Sequence, residues 1–203
     1  MIRILVLYGT TDGHTAKVAH FIARELGTRG ASVDVVNAAE ANPDPGEYAG
    51  VVVAASVHAS GYQRAVLRWV RAHVVALRAM PAGFVSVCLG VLQKNPKVIH
   101  DLDRIVSGFE TATGWQPERV KIVAGAVPYT RYGWLKRMVM KHLVRKAGGS
   151  TDTSRDHEYT DWNDVRSFAE SFYQMCDPDA EPLIGYGSFD DAVRGLVSAT
   201  IED

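Results

Sequence analysis

The stretch "YGTTDGHTAK", Tyr8 to Lys17, decides how this chain is read. An apolar run, "MIRILVLY", stops at Gly9. Thr10, Thr11, Asp12, a second glycine at Gly13, His14 and Thr15 follow before a helix-like pattern starts. A turn that enters a helix presents unpaired backbone N–H groups and the positive end of the helix dipole. Glycines let the backbone curl around an anion, and threonine hydroxyls add donors. The loop suits a phosphate held mainly by neutral donors, because no Lys or Arg occurs in it before Lys17. It is neither the ATP-binding GxxxxGK(S/T) pattern nor the dinucleotide GxGxxG pattern. On the loop alone, a plain strand-to-helix turn capped by Thr11 or Asp12 is the alternative.

Outward from that loop, apolar runs alternate with helical patterns. Ile2–Tyr8, Ser32–Asn37, Gly50–Ser56, Gly83–Leu89 and Val120–Val127 are short and valine-rich, as strands buried on both faces are. Helical patterns occupy Thr15–Arg29, Tyr62–Arg78, Val98–Thr113 and Asp161–Met175, the last with Thr160 as its expected N-cap. The expected fold class is α/β: a doubly wound, five-stranded parallel sheet with helices on both faces. The segment Tyr129–Ala147 is extra to the alternation and reads as a basic helical insert within 128–149, ended by glycine. The expected domain spans 1–176. Residues 177–203 form an acidic tail with one short helix near Asp190–Ala199.

The chain has 203 residues and a net charge of −1, which argues against a general nucleic-acid binder. The neutral sum hides an asymmetry. Pro128 to Gly149 holds six Lys/Arg and no acid, whereas Asp177 to Asp203 holds seven acids and one Arg. Cys88 and Cys176 are far apart, with no CxxC, so neither a disulfide framework nor a zinc site is expected. With no leader pattern and no long apolar span, the expected location is cytoplasmic, with peripheral attachment to the inner face of the cell membrane as an option.

In open parallel sheets ligands bind beyond the carboxyl ends of the strands. The third strand ends in "ASVHASGYQR" and the fourth in "CLGVLQKNPK". A flat ring fits between these loops, with Ser56, Val57, His58 and Tyr62 on one side and Leu89, Gly90 and Val91 on the other. Tyr62 is the candidate for stacking on the ring; packing on its own turn is the alternative. His58 is a candidate for proton handling, against an ordinary surface role.

The sequence "YGTTDGHT" resembles the flavodoxin phosphate loop, matching it at Thr10, Gly13 and Thr15 with Asp12 in place of the central threonine. Together with "MPAGFVSVCL", "AGAVPYTRYGW", "GGSTDTSRDHEYTDW" and the basic segment, the chain is similar to the menaquinone-dependent protoporphyrinogen dehydrogenases over roughly Met1 to Met175. The resemblance implies a flavodoxin fold, FMN with its phosphate on Thr10–Thr15, a porphyrinogen substrate and a quinone acceptor. Asp12, an anion beside a dianion, is expected to point outward or to cap the helix.

On a helix, Arg137, Lys141 and Arg145 form one stripe, with Leu135, Met138, Val139, His142 and Leu143 roughly opposite, although Lys136 and Lys146 intrude on the apolar side. Basic residues, an apolar face and the aromatics Tyr129, Tyr132 and Trp134 suit a helix lying on an anionic bilayer through 131–146. A helix packed on the domain is the alternative. The leading functional expectation is FMN-dependent oxidation of protoporphyrinogen IX with electrons passed to a quinone. A flavodoxin-type electron carrier, an NAD(P)H:quinone reductase and a flavin-free interaction module are the other readings.

Overall fold

Alternate residues of the first strand, β1 (Arg3–Gly9), enter opposite cores: Ile4 and Val6 one, Leu5 and Leu7 the other. That two-sided burial requires cover on both faces of the sheet. The computed structural model, which describes residues 1–57, 61–92, 96–146 and 148–180, shows how it is supplied. Strands β2 (Ser32–Asn37), β3 (Gly50–Ser56), β4 (Ala82–Val87) and β5 (Arg119–Val123) join β1 in the order β2-β1-β3-β4-β5. Every pairing in this sheet is parallel. Helices α1 (His14–Gly27) and α6 (Trp162–Cys176) cover one face through Val18, Ile22, Phe168 and Phe172. Helices α2 (Arg64–Ala72), α3 (Val74–Arg78) and α4 (Pro96–Thr113) cover the other through Val66, Trp69, Leu77 and Phe109.

Several boundaries differ from expectation, each for a local reason. The pattern Tyr62–Arg78 is two helices, because His73 at φ −114°, ψ 15° breaks the run. The run Val120–Val127 splits after Val123: β6 (Ala126–Val127) leaves the sheet and pairs antiparallel with β7 (His157–Glu158). The N-cap of α6 is Asp161 rather than Thr160; its carboxylate accepts from the amides of Asn163 and Asp164. The insert begins with a single helical turn, Tyr129–Arg131, followed by α5 (Trp134–Lys146). Its small core joins Val127, Tyr129, Tyr132 and Val144 to Leu89, Met140 and Tyr159. The acidic tail is described only to Ala180, so the expected helix at Asp190–Ala199 lies outside the described residues. Among the described residues no helix is long and apolar enough to cross a membrane.

Gly9 ends β1 where α2 packs closest. A Cβ there would sit 2.5 Å from Val66 Cγ2 and 3.1 Å from Gln63 Cβ. Valine is stiff at χ1 and cannot swing aside. Gly9→Ala should therefore destabilise the protein by about 1–3 kcal/mol, the usual cost of overpacking. The denaturant midpoint measures this; an unchanged midpoint contradicts the packing described.

Candidate functional site

The chain runs from β1 out to β2 and returns to β3 on the other side of β1. This switch point brings the carboxyl ends of β1 and β3 together, with that of β4 beside them. The turn after β1 curls as the glycines suggest. Gly13 is left-handed at φ 91° and donates its amide to Thr10 Oγ1 at 2.9 Å. It is the N-cap of α1, and no side chain caps the helix. Among the described residues, no protein acceptor meets the amides of Thr11, Asp12, His14 or Thr15. These amides and the dipole of α1 form a cradle of the kind that suits an anion.

A cavity of about 350 Å³ opens beside the cradle, within the range of small-molecule sites. Thr10, Asp12, His14 and the buried Thr15 line its phosphate-loop end. Ser56, Val57, Leu89 and Gly90 line its flanks. Tyr132, Lys136, Met140 and Leu143 of the insert close it from the far side. The arrangement suits a flat, apolar ring with a phosphate at one end.

Other expected site residues lie elsewhere. Tyr62 is not in this cavity: its hydroxyl pairs with Ser86 Oγ at 2.8 Å, and its ring meets Phe84 and Phe109 edge-on at 5.2 Å each. Burial pushes its phenol up to about 12, and the half-buried ring packs against the core instead of lining this cavity. Thr11 faces α2, where its Oγ1 accepts from Gln63 Nε2 at 3.2 Å. Val91 sits in the turn Leu89–Leu92 and does not appear among the described lining residues. His58 lies outside the described residues. Asp12 neither caps α1 nor points to solvent: Lys136 Nζ donates to it at 2.8 Å and Tyr132 Oη at 3.1 Å.

Gln63 was not legible as a site residue. It takes the Ser56 amide on Oε1 and gives Nε2 to Ser56 Oγ at 2.6 Å, so one amide ties the loop after β3 to the loop after β1. Glutamine is not a favoured cap residue, and nothing local marks it. The insert wall did leave a signal. Tyr132, Lys136, Met140 and Leu143 recur at helical spacing and share one face.

The motif before α6 fixes the start of α1. Thr160 Oγ1 gives its only proton to the Ala124 carbonyl at 2.7 Å, so it accepts from His14 Nε2–H at 2.6 Å. His14 therefore carries its proton on Nε2, and Nδ1 faces Glu158 Oε2 at 4.0 Å. Burial lowers the His14 pKa below its ordinary 6.5, outweighing Glu158. Burial alone would raise Glu158, but hydrogen bonds from Lys17 Nζ at 2.6 Å and Trp162 Nε1 at 2.8 Å outweigh it and hold it low. The Cys88 thiol, also in the cavity, is pushed up by burial and is no thiolate nucleophile at neutral pH.

His14 binds fewer protons folded than unfolded below about pH 6.5, so its contribution is present above that pH and is lost as pH falls below it. Replacing His14 with Gln, which still offers an N–H to Thr160, should flatten the stability–pH curve between about pH 6.5 and 5 relative to the parent. Denaturant midpoints across that range test this. Parallel curves would show that His14 is not held neutral.

With this geometry in place, similarity to known proteins follows its lines. A flavodoxin domain model matches residues 5–154, taking in both the phosphate loop and the insert. The chain is 34% identical over 176 residues to the protoporphyrinogen IX dehydrogenase (quinone) of Escherichia coli strain K12, covering 86% of this chain and 97% of that protein. It is 34% identical over 174 residues to the protein of the same name from Leishmania major, covering 84% of this chain and 74% of that one. Among solved structures, a short-chain flavodoxin associated with a non-canonical PDU bacterial microcompartment superposes with a TM-score of 0.50 at 17% identity. That superposition covers 87% of this chain and 100% of the other, and shows a shared fold. The chain belongs to the flavodoxin domain family and, within it, to the family of the protoporphyrinogen IX dehydrogenases (quinone).

Proposed function

We propose that this chain is an FMN-dependent oxidoreductase that converts protoporphyrinogen IX to protoporphyrin IX and passes the electrons to a quinone. The observation that carries the reading is a cavity lined both by the phosphate cradle and by the insert. Its donor set fits FMN. Thr10, Thr15 and the amides of Thr11, Asp12, His14 and Thr15 would hold the phosphate, and Ser56, Val57, Leu89 and Gly90 would flank the ring. FMN, when bound, supplies the flavin that accepts hydrogen from the substrate. The chain binds, orients and excludes water: Val87, Met140 and Leu143 give the cavity an apolar wall. His14, neutral and bonded to Thr160, keeps extra positive charge out of the cradle and is a positioning residue. Anaerobically prepared protoporphyrinogen IX should be oxidised by the FMN-loaded protein faster than by free FMN, and faster again with a menaquinone analogue. Equal rates with protein and with free FMN would remove the reading.

The finer placement concerns the membrane. On α5 the side turned inward carries Arg137, Met140 and Val144. The outer side leaves Trp134 73% exposed, with Leu135, Met138 and Val139 each more than half exposed. The basic stripe is narrower than expected. Arg137 folds back to donate to the carbonyls of Tyr129 and Tyr132 at 3.1 Å each, while Lys141 and Arg145 stay exposed. Large apolar residues outward with cations at their edge suit a helix in the surface of an anionic bilayer, where each cation contributes about 1 kcal/mol. A quinone dissolved in that bilayer would meet the cavity at Leu143, which both lines it and is half exposed. The protein should co-sediment with phosphatidylglycerol vesicles. Leu135→Glu with Val139→Glu should abolish this, and Lys141→Glu with Arg145→Glu should weaken it most at low salt. A parent that stays in the supernatant would return α5 to an ordinary surface helix.

A further inference from the structure

Asp12 is the only acid of the phosphate loop, and the insert takes up its charge. Lys136 Nζ lies 2.8 Å from Asp12 Oδ1 and 4.1 Å above the centre of the Tyr132 ring. Tyr132 Oη donates to Asp12 Oδ2 at 3.1 Å. Burial first, and Asp12 second, push the Tyr132 phenol up, so it remains a donor at neutral pH. All three side chains line the same cavity as Thr10 and Thr15.

Of the other cations near the cradle, Arg131 lines the neighbouring cavity with Asp12, Gly13 and His14, where its charge also acts on Asp156. Lys17 is turned to Glu158 at 2.6 Å. Burial lowers the His14 pKa, with Lys17 adding to the effect. A cofactor phosphate would bring about −1.5 to −2 charges to a loop that already holds a carboxylate. Like charges at one site oppose each other unless a cation lies between them. Lysine is a compact point charge on a flexible stem, suited to sharing two anions.

We propose that Lys136 is a cofactor-phosphate residue. Shared between Asp12 and the phosphate, and steered by the Tyr132 ring and hydroxyl, it makes the insert part of the FMN site. It thereby selects the phosphorylated flavin over riboflavin. The proposal rests on the FMN reading above and deepens it by assigning the phosphate's countercharge to α5. It also explains an acid at this loop position: Asp12 neither caps α1 nor repels the cofactor, but parks the lysine before the phosphate arrives. Because the phosphate and the insert share one cation, binding at the cradle also steadies α5 over the cavity.

Flavin fluorescence titration of the cofactor-free protein with FMN and with riboflavin, at low and high salt, tests this. Lys136→Met should weaken FMN by about tenfold, the size of one charge-assisted hydrogen bond, with riboflavin unchanged. Its FMN affinity should also depend less on salt than the parent's. Lys136→Arg should keep most of the preference for FMN. Asp12→Asn should bind FMN at least as tightly as the parent, because the lysine loses a competing partner. If Lys136 only anchors the insert, Lys136→Met and Asp12→Asn will both weaken FMN and riboflavin alike, which overturns the proposal. Parent-like FMN affinity in Lys136→Met overturns it while leaving the FMN reading intact. A parent that binds neither flavin overturns both.

Discussion

The hydrogen bond from Thr160 Oγ1 to the Ala124 carbonyl closes an excursion on which the site depends. The chain leaves the sheet after β5 and returns at α6, with the insert between. Next to this bond, the Tyr159 amide donates to the Gly125 carbonyl at 3.1 Å, and β6 pairs with β7. The two ends of the excursion are thus pinned to each other. The free lone pair of Thr160 then accepts from His14, the first residue of α1. One hydroxyl relates the insert's anchor to the phosphate cradle, and the Glu158–Lys17 pair reinforces it from the side. The "EYTDW" stretch, which helped to mark the family, is therefore structural in its contacts. Glu158 and Thr160 fix α1, Tyr159 accepts from the Ser150 amide at 2.8 Å, and Asp161 starts α6.

Much of the fold was readable because local pattern and global demand agree. Five valine-rich runs with glycine-bearing ends allow few arrangements other than a covered parallel sheet, and the switch point then locates the site. The misreadings share one cause: a distant partner decided them. Thr160 and Asp161 are both good caps by composition. Ala124, across the excursion, claims Thr160 and leaves the cap to Asp161. Tyr62 follows a glycine in a loop, which suits either a stacking platform or a core aromatic. Ser86 on β4, together with Phe84 and Phe109, draws it against the core. Helical spacing placed Arg137 on a stripe with Lys141 and Arg145. It could not reveal that two carbonyls at the start of the insert lie under the guanidinium. Asp12 was read from its neighbours in sequence, but its partners are Tyr132 and Lys136 of the insert.

The insert helix has to satisfy three environments around one circumference. At about 3.6 residues per turn, Arg137, Met140 and Val144 fall together toward the small core. Lys136 and Leu143 fall together on the cavity side, and Trp134, Leu135, Met138 and Val139 fall outward. A simple amphipathic helix needs only a buried face and a wet one. Here the apolar sector lies opposite the buried one, so burial within the chain does not account for it. The arrangement also limits how the helix can change. A small rotation that tucked the outer apolar residues inward would swing Lys136 off Asp12 and open the cavity wall at Met140. The outward display of apolar surface and the inward delivery of one cation are consequences of a single rotational setting. Tyr129, Tyr132 and the folded-back Arg137 hold that setting at the first turn of α5, which places the control of both faces at the insert's entry rather than along its length.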